Sequence, residues 1–376
     1  MKKKISVFTG TRAEYYILKN FISLLKIKKF KVDLLITGSH LSQKYGHTIN
    51  DIDKKNLNRI FEIKILKKTS EKGLLESSST LIKKLSNIFS KTSPELFICL
   101  GDRYETFIAC YVATIFKVPI IHFHGGELTQ NIYDDCLRHS ITKMSNLHFV
   151  SHNTYRKRVI QLGENPKTVF NIGSMSVENI NKIKFLNKKQ IERKFDLKFN
   201  KNNFLITFHP VTLEKNSYKI IENILKTCLK FKNTSIIVNA PNADTESHKI
   251  ISKIKEYSKS YRNIYYRESL GQKGYLSIVK NCNLVIGNSS SAIIEVPAIG
   301  ITSINIGERQ AGRIFPQTVK KSNGGISNLY FLIKNFLNKK NKVDKTFYKK
   351  NSALTALKIL QKYNFKNIKK KKFFDL

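Results

Sequence analysis

Between Leu100 and Lys143 the chain carries three charged packets: LGDRYETF at 100–107, IHFHGGE at 121–127 and YDDCLRHSITK at 133–143. The packets follow apolar, β-like runs and supply carboxylates, arginines, histidines and glycines together. In an open α/β sheet the carboxyl ends of parallel strands are where ligands bind, so polar residues placed there are positioned for chemistry. Acid/base groups beside anion-binding groups point to chemistry on a charged small molecule.

Working outward, strand and helix patterns alternate. Strands are predicted at Lys4–Thr9, Val32–Ile36, Pro94–Leu100, Val118–Phe123 and His148–Val150. Between them come helical periods at Glu14–Lys26, Tyr104–Phe116, Asp135–Met144 and Thr154–Leu162, and a helix within 64–91. Such alternation implies a mostly parallel sheet covered on both faces. From Val177 to Asn203 the pattern breaks into a Lys/Asn-rich stretch read as a hinge, after which it restarts. Strands are expected at Phe204–Phe208, Ser235–Asn239, Leu284–Gly287 and Thr302–Ile306, and the last helices near Leu329–Leu337 and Ala353–Tyr363. The expected organisation is α/β: a first Rossmann-like domain over 1–175, a second over 176–350, and a C-terminal helix and basic tail over 351–376 that can pack back on the first. The lysine-rich end KNIKKKKFF (366–374) reads as solvated.

The formal charge is +40, from 67 Lys+Arg against 27 Asp+Glu. A basic surface attracts phosphate backbones. Here the excess is nearly all lysine spread along the chain, without a zinc-finger spacing, an RRM motif or a clear helix-turn-helix, so no specific nucleic-acid partner is expected. Where lysine is the default cation, arginine marks sites that need its planar fork. Arg12, Arg103, Arg138, Arg309 and Arg313 all lie in the motif packets. The five cysteines show no CxxC or Cys/His ligand spacing, so no metal is expected. No apolar run approaches the ~20 residues that span a bilayer, and the expected setting is the cytoplasm, without a membrane partner.

Two βα turns look built for an anion. Gly10-Thr11-Arg12-Ala13-Glu14 follows the first strand, and Gly287-Asn288-Ser289-Ser290-Ser291 follows a strand of the second half. In each, helix N–H groups are available to a phosphate. Either can also be an ordinary turn, with serine as a helix cap. Glu295, about a turn further on, is placed to accept from the hydroxyls of a ribose. Gly307-Glu308-Arg309-Gln310-Ala311-Gly312-Arg313 adds two cations. Asp102, Arg103, His124, Glu127, Asp134, Arg138 and His139 populate the first-half packets. Asp134 or Asp135 can cap a helix, and Arg138 can pair with Asp134 at i,i+4. His209, at the end of the first strand of the second half, is expected to face this cluster.

The ordered motifs GTRAEY (10–15), GSHLSQKYGHT (38–48), LGDRYE (100–105), HFHGGE (122–127), DDCLRHSITK (134–143), RKRVIQLGENP (156–166), FHPVT (208–212), NAD (242–244), GNSSS (287–291) and GERQAGR (307–313) resemble a known family. Over about residues 1–315 the chain is similar to the hydrolysing UDP-N-acetylglucosamine 2-epimerases of bacterial sialic-acid and legionaminic-acid pathways. The resemblance implies a glycosyltransferase-B-like pair of Rossmann-type domains with a central cleft, a UDP-sugar substrate, no metal or redox cofactor, and a homodimer or homotetramer. It implies elimination of UDP across C1–C2 to a 2-acetamidoglycal, then hydration with net inversion at C2. Carried over by position, Asp102 and Asp134 are the acid/base carboxylates, Arg138 belongs with them, and His209 is supplied by the second domain. Arg12, Arg103, Asn242, Ser289, Ser290, Glu295, Arg309 and Arg313 form the substrate and UDP-binding set. One departure stands out: the non-hydrolysing branch has HxEAG where this chain has HFHGG, so the role of that glutamate falls to His124 or shifts to Glu127. The alternative substrate is UDP-N,N′-diacetylbacillosamine, and the alternative reaction class a glycosyltransferase of the same fold.

Overall fold

A computed structural model of the protein describes residues 3–43, 47–55, 57–65, 70–129, 133–211, 217–241, 247–339, 341–363 and 371–376. They form two compact units. One comprises Met1–Glu127, Tyr133–Asn179 and Lys349–Leu376, the other Leu128–Ile132 and Ile180–Tyr348.

In the first unit the elements run β1 (Lys4–Thr9), α1 (Arg12–Ile27), β2 (Lys31–Ile36), β3 (Arg59–Glu62), α2 (Glu71–Thr92), β4 (Leu96–Leu100), α3 (Tyr104–Ile115), β5 (Ile120–Phe123), α4 (Asp134–Met144), β6 (Leu147–Val150), α5 (Asn153–Gln161), β7 (Val169–Asn171) and α6 (Met175–Ile180). The sheet is parallel throughout in the order β3-β2-β1-β4-β5-β6-β7. Its central strands are buried along their whole length, as expected of strands with helices on both faces. The strand order reverses direction between β1 and β4. That switch point is where an open α/β sheet leaves a crevice for ligands, and the turns after β1 and β4 carry Gly10–Glu14 and Asp102–Glu105.

The second unit continues with α7 (Lys188–Phe195), β8 (Asn202–Thr207), α8 (Ser217–Leu229), β9 (Thr234–Asn239), α9 (Ser247–Ser260), β10 (Ile264–Arg267), α10 (Gly271–Asn281), β11 (Leu284–Gly287), α11 (Ser291–Ala298), β12 (Thr302–Ile306), β13 (Val319–Ser322) and α12 (Ile326–Phe336). Its parallel sheet is ordered β10-β9-β8-β11-β12-β13. The switch point lies between β8 and β11, whose ends carry His209 and Asn288–Ser291. The final helix α13 (Ser352–Lys362) belongs to the first unit, where Ala353, Ala356, Leu357 and Leu360 join the core formed by Leu18, Phe21 and Ile22 of α1.

Two expectations need correction. The stretch from Val177 to Asn203, where the pattern is expected to break down, holds the end of α6 and all of α7, the latter opened by a capping box between Asn187 and Gln190. Only Ile191 and Phe195 of α7 are buried, so lysines swamp its apolar stripe. The basic end is not simply solvated either. Residues 364–370 lie outside the described ones, but Lys371 donates to three backbone carbonyls and Phe374 N to Gly163 O at 3.0 Å.

Candidate functional site

The β4–α3 turn places Asp102 one residue beyond Gly101, and helix α4 brings Arg138 against it. Arg138 is 2% exposed, and its Nη2 donates to Asp102 Oδ2. Its Nη1 lies 3.7 Å from Glu127 Oε2. Arg138 thus turns toward a neighbouring strand end, an arrangement beyond the expected i,i+4 partner on its own helix. Despite burial, the Asp102 and Glu127 carboxylates hold the guanidinium above its ordinary pKa.

Glu127 is also buried. It accepts from Ser151 Oγ at 3.2 Å and pairs with His124 Nδ1 at 3.0 Å. Asp102, Arg138, Glu127 and His124 therefore form one connected line of charge-bearing groups. His124 adopts φ +65, the left-handed region that non-glycine residues enter at a cost of ~1 kcal/mol. Its Nε2 is buried and makes no hydrogen bond among the described residues. Two residues on, Gly126 has φ +77, and a Cβ there would sit 2.4 Å from Tyr155 O, so the turn that carries Glu127 requires glycine.

Beneath this line, His122 Nε2 is 2.8 Å from Gly101 O and its Nδ1 3.3 Å from Thr142 Oγ1 of α4. Burial pushes His122 down to about 3, so it is neutral and ties the β4 end to the site helix. Asp134 stands at the first position of α4 and Asp135 at the second; the cap residue is Tyr133, so neither aspartate is the cap.

At the other strand of the switch point, Thr11 and Glu14 make a capping box at the start of α1, and Glu14 Oε2 accepts from Gly10 N at 2.7 Å. Burial raises Glu14 to about 7, partly offset by Arg103, while Glu105 adds to the rise. Arg103 is held side-on by buried Glu105, with Nε at 3.1 Å and Nη2 at 3.4 Å from its oxygens. Burial lowers Arg12, against the opposing pull of Tyr16 and Asp51. Glu14 and Glu105 stand inside quoted motifs but were not among the expected site residues; the signal available was an acid four residues after each strand-end glycine, Gly10 and Gly101.

In the second unit, Asn288 is the central residue. His209 N donates to its Oδ1 at 2.7 Å, and its Nδ2 donates back to His209 O at 2.8 Å, clasping the ends of β8 and β11. Its carbonyl receives Arg309 Nη1 at 3.1 Å and Gln310 Nε2 at 2.8 Å. Asn288 and Gln310 were not among the expected site residues, although both stand inside quoted motifs. Burial, with Arg309 adding to it, pushes His209 down to about 3, leaving a neutral imidazole. Ser289 and Ser290 precede α11, and Ser291 N reaches Ser289 Oγ at 3.4 Å; Ser290 is the cap position but its side chain does not cap. Glu295 lies on α11 itself, one turn beyond Ser291. Arg313 Nε donates to Leu128 O at 3.1 Å. Asn242 lies outside the described residues, as do the rest of the NAD motif (242–244) and the last residue of FHPVT, Thr212. Among the described residues there is no cluster of histidine, cysteine and carboxylate groups that would hold a metal, and no helix long and apolar enough to cross a membrane.

Gly287 shows how tightly this turn is built. With φ +148, a Cβ on it would lie 2.0 Å from Thr207 O of the adjacent strand. Gly287→Ala is expected to lower stability by about 2 kcal/mol, the scale of an overpacked backbone contact. Urea denaturation checks this; an unchanged midpoint would contradict the packing.

Comparison with known proteins bears on the family and the fold. The family model described as UDP-N-acetylglucosamine 2-epimerase matches residues 23–361. The chain is 37% identical to the polysialic acid biosynthesis protein P7 of Escherichia coli over all of its length and 98% of that protein. It is 40% identical to the GDP/UDP-N,N′-diacetylbacillosamine 2-epimerase (hydrolyzing) of Campylobacter jejuni, over 85% of this chain and 84% of that one. In fold it is similar to a crystal structure of UDP-GlcNAc 2-epimerase from Neisseria meningitidis bound to UDP-GlcNAc, with a TM-score of 0.80 at 19% identity, covering 96% of this chain and 100% of that one. Two parallel Rossmann-like sheets, strand-end motifs in sequence order and relatives matched over most of their length lead to one conclusion: the chain belongs to the UDP-N-acetylglucosamine 2-epimerase family.

Proposed function

We propose that the protein is a hydrolysing 2-epimerase, converting UDP-N-acetylglucosamine to N-acetylmannosamine and UDP by elimination to a 2-acetamidoglycal and hydration. The observation that carries this is the connected line Asp102–Arg138–Glu127–His124 at the ends of β4 and β5. The C2 proton is only weakly acidic, so its removal needs a positioned base, and the later addition of water needs a second acid/base group. Asp102 and Asp134 take these roles. Arg138 is a fixed cation beside Asp102 that stabilises charge as it develops. Arg12, Ser289, Ser290, Glu295, Arg309, Arg313 and Asn242 bind the UDP portion, with Arg103 near the diphosphate. Neutral His209 serves as a hydrogen-bonding partner rather than a fixed cation. The hydrolysing chemistry is supported by the 40% identity to the Campylobacter relative, a hydrolysing 2-epimerase.

Of His124 and Glu127, the geometry favours His124 as the group that exchanges a proton. Its Nδ1 is engaged by Glu127 while Nε2 makes no hydrogen bond among the described residues, the arrangement in which a carboxylate orients an imidazole toward a reacting group. His124→Asn retains a residue tolerant of positive φ. It is expected to lower kcat by about 100-fold with the melting temperature preserved. Glu127→Gln, which weakens the orientation of His124 and removes a carboxylate charge from beside Arg138, should lower it less. Equal turnover in His124→Asn and wild type would move the role to Glu127.

The same reaction on UDP-N,N′-diacetylbacillosamine is the second reading, favoured by the 40% identity to the Campylobacter enzyme. Incubation with each UDP-sugar in D2O, followed by NMR, tests both. Free 2-epimerised sugar carrying deuterium at C2, plus UDP, is the expected result. An intact UDP-sugar of inverted C2 configuration, or no turnover of either substrate, would sink the assignment.

A further inference from the structure

The described end of the chain is fastened to the site helix. Lys371 Nζ donates to Lys143 O at 2.5 Å, Ser145 O at 2.6 Å and Thr142 O at 3.4 Å. These are carbonyls of the last turn of α4 and its cap, where a helix runs out of internal donors; Thr142 O is shared with the cap N–H of Ser145 at 3.1 Å. A cation there also complements the negative end of the helix dipole. The same ammonium pairs with Glu164 Oε2 at 2.7 Å, and Glu164 in turn holds Lys143 at 2.8 Å and His148 Nε2 at 3.0 Å. The Lys371 side chain is only 25% exposed, unlike a solvated lysine. Two residues on, the Phe373 ring covers Gly163, where an added Cβ would meet the ring at 2.3 Å. Lys143 Nζ sits 4.8 Å from the ring centroid, and Phe374 N bonds Gly163 O.

From that anchorage a continuous polar path runs toward the reacting end of the helix. Thr142, whose carbonyl Lys371 binds, places its hydroxyl 3.0 Å from Arg138 O and 3.3 Å from His122 Nδ1. His122 reaches Gly101 O, the neighbour of Asp102. Arg138 closes the circuit on Asp102.

We infer that Lys371–Phe374 is a strap that fixes the axial position of α4, and that Lys371 is a positioning residue for the Arg138–Asp102 pair. This inference rests on the reading of that pair as part of the reaction centre. Burial pushes Lys371 down to about 8, resisted by Glu164, which leaves it mainly protonated at neutral pH. Glu164, although burial acts to raise it, is held below its usual value by His148 and the two lysines, so it stays ionised.

Lys371→Met in the full chain keeps the length of the stem and removes the donors. Two readouts separate the strap from the chemistry. In hydrogen–deuterium exchange, amides from Arg138 to Ser145 should exchange about tenfold faster or more, and Phe373→Ala should reproduce part of the effect. In kinetics on the UDP-sugar that the wild type turns over, kcat should fall by about fivefold or more with KM within twofold, and Lys371→Arg should restore both readouts. Faster exchange confined to residues 143–146 would overturn the strap, as would exchange equal to wild type. Faster exchange through Arg138 with unchanged kcat would overturn the positioning role. A wild type inactive on both UDP-sugars sinks the proposed function, while the exchange of α4 still decides the strap.

Discussion

Asp102→Asn is expected to lower kcat by about 1,000-fold, within the usual span for losing a positioned acid/base group. The substitution is isosteric, so the β4–α3 turn has no steric reason to move. Two things change at once. The carboxylate that gives or takes a proton is lost, and Arg138, buried at 2% exposure, loses the opposing charge that raises its pKa most, with Glu127 next in strength. A buried charge deprived of a partner costs several kcal/mol unless its neighbours rearrange. Arg138 should therefore swing toward Glu127, drawing on the carboxylate that orients His124. The effect on turnover is expected to exceed that of Asp134→Asn, which removes a half-buried carboxylate at the first position of α4. Steady-state kinetics on the purified variants, with thermal melts as a check on folding, decide the point. Turnover of Asp102→Asn within threefold of wild type would remove this residue from the mechanism.

The residues that could be read from sequence share one property: their meaning is local. Asp102 follows a five-residue apolar run and Gly101, and Ser289–Ser291 follow LVIG and open a helix. In both places the strand end and the turn are adjacent in the chain. The central strands were legible for the same reason, being nearly continuous apolar runs buried on both faces. What escaped depends on distant parts of the chain. The Arg138–Asp102 pair joins residues 36 apart and exists only because β4 and β5 are neighbours and α4 packs beside them. Asn288 looked like one polar residue in a turn until β8 and β11 brought it to the His209 backbone. The edge strands β3, β10 and β13 are four residues each and half-exposed, with charged residues in each, so no apolar run marks them. In a lysine-rich sequence, Lys371 is indistinguishable by composition from its neighbours. Its carbonyl partners, more than 220 residues away, single it out.

Acid should destabilise the protein already between pH 7 and 5, where buried histidines outweigh the one carboxyl that is raised into that range. His40, His122 and His209 are buried and held down to about 4, about 3 and about 3 respectively. Burial is the largest cause in all three, with Arg12 adding to it at His40 and Arg309 at His209. A histidine in the unfolded chain takes up its proton near 6.5. Below that pH the unfolded state binds protons that the folded state refuses, so stability falls as pH falls, and continues to fall until about 4 for His40 and about 3 for the other two. From pH 7 to pH 5 each such histidine costs about 2 kcal/mol, or roughly 6 for three. Glu14 has the opposite sign. Its folded value, raised to about 7, lies above its unfolded one, so it gains stability as it protonates on the way down and returns about 2 kcal/mol over the same interval. The net loss is about 4 kcal/mol, a large part of the 5–15 kcal/mol that ordinarily holds a domain folded. Urea denaturation at pH 7, 6 and 5 should show the midpoint falling steadily, and His40→Gln, which can still reach Thr9 or Thr48, should flatten the slope by about half, leaving about 2 of the net 4 kcal/mol. A midpoint constant from pH 7 to 5 would mean that these imidazoles are not buried neutral, and would withdraw the neutral His209 on which its role beside Asn288 depends.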